Sequence, residues 1–196
     1  MQNFIPNENY KMEAIIGLDS KIIEEVCNNL IKEGEFVVPA NYNYSLQTVI
    51  SGNDNAVNKA VEILREKGAK KIVELKTSGP FHTKKLMQAK EKFAEELEKV
   101  EFKLGTIPVI KNIDGTVYKK EDNIKEILAN HIISPVRFDK TIKTMQNEKI
   151  DTYIEIGPGK ALSGFVRKEN KDAKIMQVSN LETLNKTVEE INNVIQ

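Results

Sequence analysis

Residues 12–77 read MEAIIGLDSKIIEEVCNNLIKEGEFVVPANYNYSLQTVISGNDNAVNKAVEILREKGAKKIVELKT. Met12 to Leu18 is apolar and β-branched enough to predict a strand. Asp19 and Ser20 are N-cap residue types, and Ile22, Ile23, Val26, Cys27, Leu30 and Ile31 then form an apolar stripe at helical spacing. Gly34 marks the end of that helix. Two β-rich runs follow, Phe36 to Asn43 and Thr48 to Ser51, flanking a short polar connection. Asn53 or Asp54 caps a second helix with Ala56, Val57, Ala60, Val61 and Leu64 on one face, and Gly68 lies near its end. Lys71 to Thr77 is a fourth strand. The order βαββαβ predicts a ferredoxin-like unit over residues 12–77, preceded by a polar lead-in, residues 1–11.

Downstream the pattern changes. Leu86 to Val100 reads as an amphipathic helix. Thr106 to Asn112 reads as a short strand running into the turn signal Asn-Ile-Asp-Gly. Helices are expected over Asp122 to His131 and Asp139 to Gln146, broken at Ser134-Pro135 because proline biases the residue before it out of the helical region. Asp151 to Ile156 is a strand, Gly157-Pro158-Gly159 a tight turn, and a helix starts at Lys160. Ile175 to Val178 and Leu181 to Ile195 close the chain as strand and helix. Strands alternating with helices imply a parallel sheet. About three strands is thin for a sheet covered on both faces, which points to further strands N-terminal to Met1. The fold class is therefore α/β, with residues 78–196 as a partial α/β layer. No internal repeat or low-complexity tract stands out.

Composition narrows the function. Lysines and arginines number 29, balanced by 29 acids, so there is no basic excess of the kind a nucleic-acid surface needs. No apolar run approaches the roughly 18 residues of a membrane span, and no signal peptide opens the chain. The expectation is a cytoplasmic protein that engages neither nucleic acid nor membrane. Cys27 is the single cysteine, which excludes an internal disulfide and reads as a small buried hydrophobe. With two histidines and one cysteine there is no metal-ligand cluster.

His82 is the strongest candidate for chemistry. It follows Ser78-Gly79-Pro80-Phe81, after a strand and before a helix, where α/β enzymes place catalytic groups. An imidazole there suits proton abstraction from a serine or cysteine at neutral pH. No matching nucleophile is evident. Ser20, Ser45, Ser51, Ser78, Ser134, Ser163 and Ser179 all lie outside a Gly-x-Ser-x-Gly elbow, and Cys27 is mid-helix. Gly157-Pro158-Gly159 before a helix is either an anion cradle or a turn required for close packing. It lacks the spacing of a phosphate loop.

Four segments together carry a resemblance. Ser78-Gly-Pro-Phe-His-Thr-Lys-Lys-Leu-Met87, Tyr153-Ile-Glu-Ile-Gly-Pro-Gly-Lys-Ala-Leu162, Ala40-Asn-Tyr-Asn43 with Gln47-Thr-Val-Ile-Ser-Gly52, and Ser134-Pro-Val-Arg-Phe138 resemble, in order and spacing, malonyl-CoA:acyl carrier protein transacylases. The match covers essentially the whole chain, but the later part of a family member. The resemblance implies an α/β-hydrolase-like acyltransferase domain with a ferredoxin-like subdomain inserted. It also implies ping-pong transfer of malonyl from CoA, through a serine ester, to the phosphopantetheine thiol of acyl carrier protein, with no cofactor.

Residue by residue, His82 matches the family's catalytic histidine. His131 stands where the family usually has glutamine, and its backbone carbonyl would orient that histidine. Phe81 resembles the malonyl-selective members, where a bulky ring excludes a methyl branch. Asn43 and Gln47 match a segment lining the thioester entrance, although the usual Asn-Ser-Pro-Gly-Gln is here Asn43-Tyr-Ser-Leu-Gln47. The family's serine, and the arginine that pairs with the malonyl carboxylate, match positions before Met1. Arg65, Arg137 and Arg167 do not match that arginine. The expectation is an acyltransferase portion that is inactive alone and associates with the missing N-terminal portion or with itself. The alternative is a non-catalytic fragment that binds acyl carrier protein or CoA.

Overall fold

The computed structural model describes residues 2–77 and 79–195. Its residues form two compact units, Met1–Thr141 and Ile142–Gln196.

The first unit is built on the predicted βαββαβ order. Strands β1 (Tyr10–Ile16), β2 (Val37–Tyr44), β3 (Gln47–Asn53) and β4 (Lys71–Glu74) assemble antiparallel in the order β4-β1-β3-β2. Helices α1 (Ser20–Lys32) and α2 (Asp54–Glu66) cover one face. Their apolar stripes, Ile23, Val26, Cys27 and Leu30 with Val57, Ala60, Val61 and Leu64, meet Ile15, Val37 and Ile50 of the sheet in one core. The Asp19 carboxylate caps α1 by accepting the Lys21 N–H at 2.8 Å. Asn53 is the N-cap of α2 by position, but its side chain makes no capping bond and instead donates to Glu8 at 3.1 Å. Gly52 in β3 has no alternative. A Cβ there would stand 2.1 Å from the carbonyl oxygen of Phe36, the residue just before β2.

The sheet's other face carries a smaller cluster, Met12, Ala14, Ala40 and Val49, against which Val73, Leu75 and Phe81 pack. A two-residue strand not foreseen from the sequence, β5 (Val136–Arg137), extends the sheet parallel to β2, pairing Asn41 with Val136 and Tyr42 with Arg137. Arg137 then lies over the Tyr42 ring at 4.1 Å and donates to both Asp139 oxygens at 2.9 and 2.6 Å. The break at Ser134-Pro135 places this strand after α4 (Ile124–His131). Helix α3 (Met87–Leu97) precedes α4 and packs on it.

The strand expected over residues 106–112 does not form. Ile110 makes an isolated bridge to Val117, while Ile107 is 80% exposed and Val109 is also exposed. A strand exists through an edge that accepts its hydrogen bonds, and among the described residues none lies alongside. Lys111, buried, instead holds this region by ion pairs to Asp114 at 3.6 Å and Asp122 at 3.0 Å.

The second unit holds the two strands expected of it, paired in parallel. β6 (Thr152–Ile156) pairs with β7 (Lys174–Val178) in unbroken register from Thr152–Lys174 to Ile156–Val178. Helix α6 (Ala161–Glu169) links them, α7 (Leu181–Ile195) follows, and α5 (Phe138–Asn147) runs across the division between the units. Leu181 is 71% exposed and Ile156 80%, so apolar surface lies open on this unit. No described helix is long and apolar enough to cross a membrane.

Candidate active site

The site begins with the turn after β4. Ser78 lies outside the described residues. Pro80 is fully buried, and its carbonyl accepts the Thr83 hydroxyl at 2.8 Å. The Thr83 oxygen also caps a short 3-10 turn, Lys84–Leu86, accepting from the Lys85 N–H at 3.4 Å. Between these anchors His82 adopts φ +59°, a left-handed conformation that a non-glycine residue reaches only against steric resistance. Phe81 packs on the Met12, Ala14, Ala40 and Val49 cluster, so the sheet itself fixes one flank of the turn.

His82 Nδ1 lies 3.1 Å from the His131 backbone oxygen. A carbonyl can only accept, so Nδ1 carries the proton and donates, which leaves Nε2 as a free base. Burial pushes this imidazole below its ordinary pKa, opposed by its backbone partners at His131 and Ser134. The neutral, proton-accepting form is favoured. The His131 ring stands beside it, centroids 5.1 Å apart and tilted 34°. Burial and then the neighbouring His82 charge lower its pKa as well, and its Nε2 is buried without a hydrogen-bond partner.

The sequence pointed to the His131 backbone, and the fold brings that carbonyl to His82. The Ser134 backbone contribution went unanticipated, although Ser134 lies in one of the four segments singled out. Asn43 and Gln47 also meet, but each other: Asn43 Nδ2 donates to Gln47 Oε1 at 3.2 Å across the β2–β3 connection. No hydrogen bond among the described residues links this pair to His82.

Candidate nucleophiles fare poorly. Ser51 is fully buried. Ser163 lies inside α6, its N–H donated to Glu155 at 2.8 Å. Burial raises the Cys27 thiol to about 12, which suppresses its thiolate. The Gly157-Pro158-Gly159 turn is not an anion cradle either. Glu155 already accepts the α6 amides of Leu162 and Ser163, and Gly157 donates to Val178 at 2.9 Å. Gly157 and Gly159, at φ +144° and +92°, serve a tight strand-to-helix turn.

The fold is a mixed α/β one that sets a half-buried histidine against a backbone carbonyl. The acyl transferase domain family matches residues 14–193, and the chain belongs to it. Its relatives are more particular. It is 40% identical over 184 residues to the malonyl CoA-acyl carrier protein transacylase of Bacillus subtilis (strain 168), an alignment covering 94% of this chain and 58% of that protein. The crystal structure of the malonyl CoA-acyl carrier protein transacylase from Clostridium perfringens matches with TM-score 0.92 and 36% identity, over 99% of this chain and 61% of that one. MCAT from Streptococcus pneumoniae matches with TM-score 0.89 and 42% identity, over 97% and 62%. A malonyl-transacylase solved with its type II PKS acyl-carrier protein matches with TM-score 0.89 and 30% identity, over 96% and 61%. The chain thus spans about three fifths of the length of these relatives.

Proposed function

We propose that this chain is the histidine-bearing portion of a malonyl-CoA:acyl carrier protein transacylase, with His82 as its general base. The reading rests on the 3.1 Å contact from His82 Nδ1 to the His131 carbonyl, within a member of the acyl transferase family. That contact puts the ring proton on Nδ1 and the lone pair of the neutral imidazole on Nε2. A serine outside this chain would supply its Oγ to the malonyl carbonyl carbon while its proton passes to His82 Nε2. The carbon–sulfur bond then breaks, and the CoA sulfur leaves with that proton. In the second half-reaction the phosphopantetheine thiol of acyl carrier protein gives its proton to His82 and attacks the ester. The serine departs reprotonated. An arginine outside this chain would pair with the malonyl carboxylate. No cofactor is required.

In this reading Phe81 limits the acyl pocket, and Asn43 and Gln47 line the thioester entrance. Residues 12–77 are the inserted subdomain and 78–196 belong to the catalytic domain. The exposed Ile107 and Val109 of the first unit, and Ile154 and Ile156 of the second, are surface for the remainder of the domain to cover. Cytoplasmic fatty-acid assembly suits malonyl transfer.

Adding the N-terminal remainder of a transacylase to this chain is expected to produce malonyl transfer from CoA to acyl carrier protein. His82→Ala is expected to lower that rate about a hundredfold or more. A stable reconstituted complex with no transfer, or one indifferent to His82→Ala, refutes the proposal.

A further inference from the structure

In the second unit, α6 and α7 face each other across a groove of about 450 Å³ floored by Ile175 and Gln177 of β7. Helices that pack normally close such a space with apolar side chains. Here the two walls are polar. Lys160, the N-cap of α6, lines one wall with Gly164 and Arg167 of that helix, and Lys186, Thr187 and Glu190 of α7 line the other. The apolar stripe of α7 points elsewhere, with Leu181, Leu184 and Val188 exposed. Gly164 leaves the middle of the α6 wall bare, and a Cβ there would meet nothing within 4 Å.

Charge gives the groove its chemistry. Lys160, Arg167 and Lys186 supply three cations against the one carboxylate of Glu190. All three are exposed, and none is ion-paired with any described residue, so each is available to an anion entering the groove. Lys160 and Arg167 are seven residues apart, which at 1.5 Å per residue sets them roughly 10 Å apart along the helix. One tetrahedral anion is short for that span, and two linked phosphoryl groups suit it better. Gly164 lies between, where bulk is missing. The Thr187 hydroxyl adds a neutral polar group to the facing wall, while the Gln177 amide nitrogen on the floor is engaged by the Gly159 carbonyl.

We propose that the α6–α7 groove is a diphosphate-binding site, gripped by Arg167, Lys160 and Lys186 and admitted by the bare backbone at Gly164. The diphosphate could arrive as the free ion or within a nucleotide. The proposal does not rest on the transferase reading.

The test is calorimetric titration of the 196-residue chain at low salt with inorganic pyrophosphate, ADP and orthophosphate. Saturable binding of pyrophosphate or ADP, tighter than orthophosphate, is expected. Pyrophosphate as the tighter ligand would identify the free ion, and ADP would identify a nucleotide-borne group. Arg167→Gln and Lys186→Gln should each weaken binding about tenfold. Gly164→Leu, which fills the gap while favouring helix, should abolish it with an unchanged circular dichroism spectrum. No saturation by about 10 mM ligand, equal affinity for orthophosphate, or indifference to all three variants overturns the site.

Discussion

Position 82 should invert the usual ranking of alanine over glycine. His82 sits at φ +59°, where the Cβ of an L-residue crowds the following carbonyl at a cost of about 1–2 kcal/mol. His82→Ala and His82→Gly both delete the imidazole and its bond to the His131 carbonyl, so those losses cancel between the two variants. What differs is the backbone. Glycine relieves the strain but carries about 0.4–1 kcal/mol of extra unfolded-state entropy. The net expectation is that the glycine variant is the more stable by about 1 kcal/mol. With a urea slope of about 1–3 kcal/mol per molar, its unfolding midpoint should lie higher by roughly 0.5 M. Urea unfolding followed by far-ultraviolet circular dichroism measures this directly. Lys149, also at φ +59° but in the turn after α5, provides a control that should show the same ordering. If alanine matches or exceeds glycine at position 82 while the Lys149 pair behaves as expected, the His82 turn is not strained and its geometry is not preset.

Other outcomes follow from the same coordinates. Gly52→Ala should lose about 3 kcal/mol or more, read as a fall in melting temperature, because its Cβ would meet the Phe36 carbonyl at 2.1 Å and force β2 from β3. Cys27, with its thiol raised to about 12, should react with a disulfide reagent at pH 8 about a thousandfold more slowly in the native protein than after unfolding. Comparable rates would show that α1 opens readily. Burial, the largest influence on both histidines, lowers the folded pKa values of His82 and His131. Their contribution is therefore fully present above the unfolded value near 6.5 and is lost as pH falls through the lower folded values. Unfolding free energy measured between about pH 7.5 and 5 should decline, and His82→Gln should flatten part of that decline.

The ferredoxin-like unit was legible because each helix carries a cap, a stripe and a stop, and because the strands are bounded by glycine and turn residues. Its errors were small and mostly at element ends, as at β1, which starts at Tyr10 rather than Met12. The place of the His82 turn, between a strand and a helix, was legible as well. What sequence could not supply was pairing. The composition of Thr106 to Asn112 suits a strand, yet strand formation depends on a neighbour that local composition does not encode. Conversely, Val136–Arg137 is too short to register as a strand by periodicity and exists because β2 presents a free edge. Asn43 and Gln47 were read as facing a ligand, but the hairpin that separates them by four residues also lets them satisfy each other. The His131 side chain beside His82 was likewise invisible, since a helix-end histidine carries no local mark of the ring it will meet.

The hold on His82 by the His131 carbonyl has a chemical corollary. Every amino acid brings the same carbonyl, so no exchange of side chain at position 131 can delete this acceptor while α4 still ends where it does. The contact is written in the main chain, out of reach of ordinary mutagenesis. It can be edited by replacing the amide between residues 131 and 132 with an ester, which leaves every side chain in place and weakens the oxygen as an acceptor. The same exchange removes the Ile132 N–H that donates to the Ala129 carbonyl at 3.2 Å, so an ester between residues 132 and 133, which spares the His131 oxygen, is its natural partner.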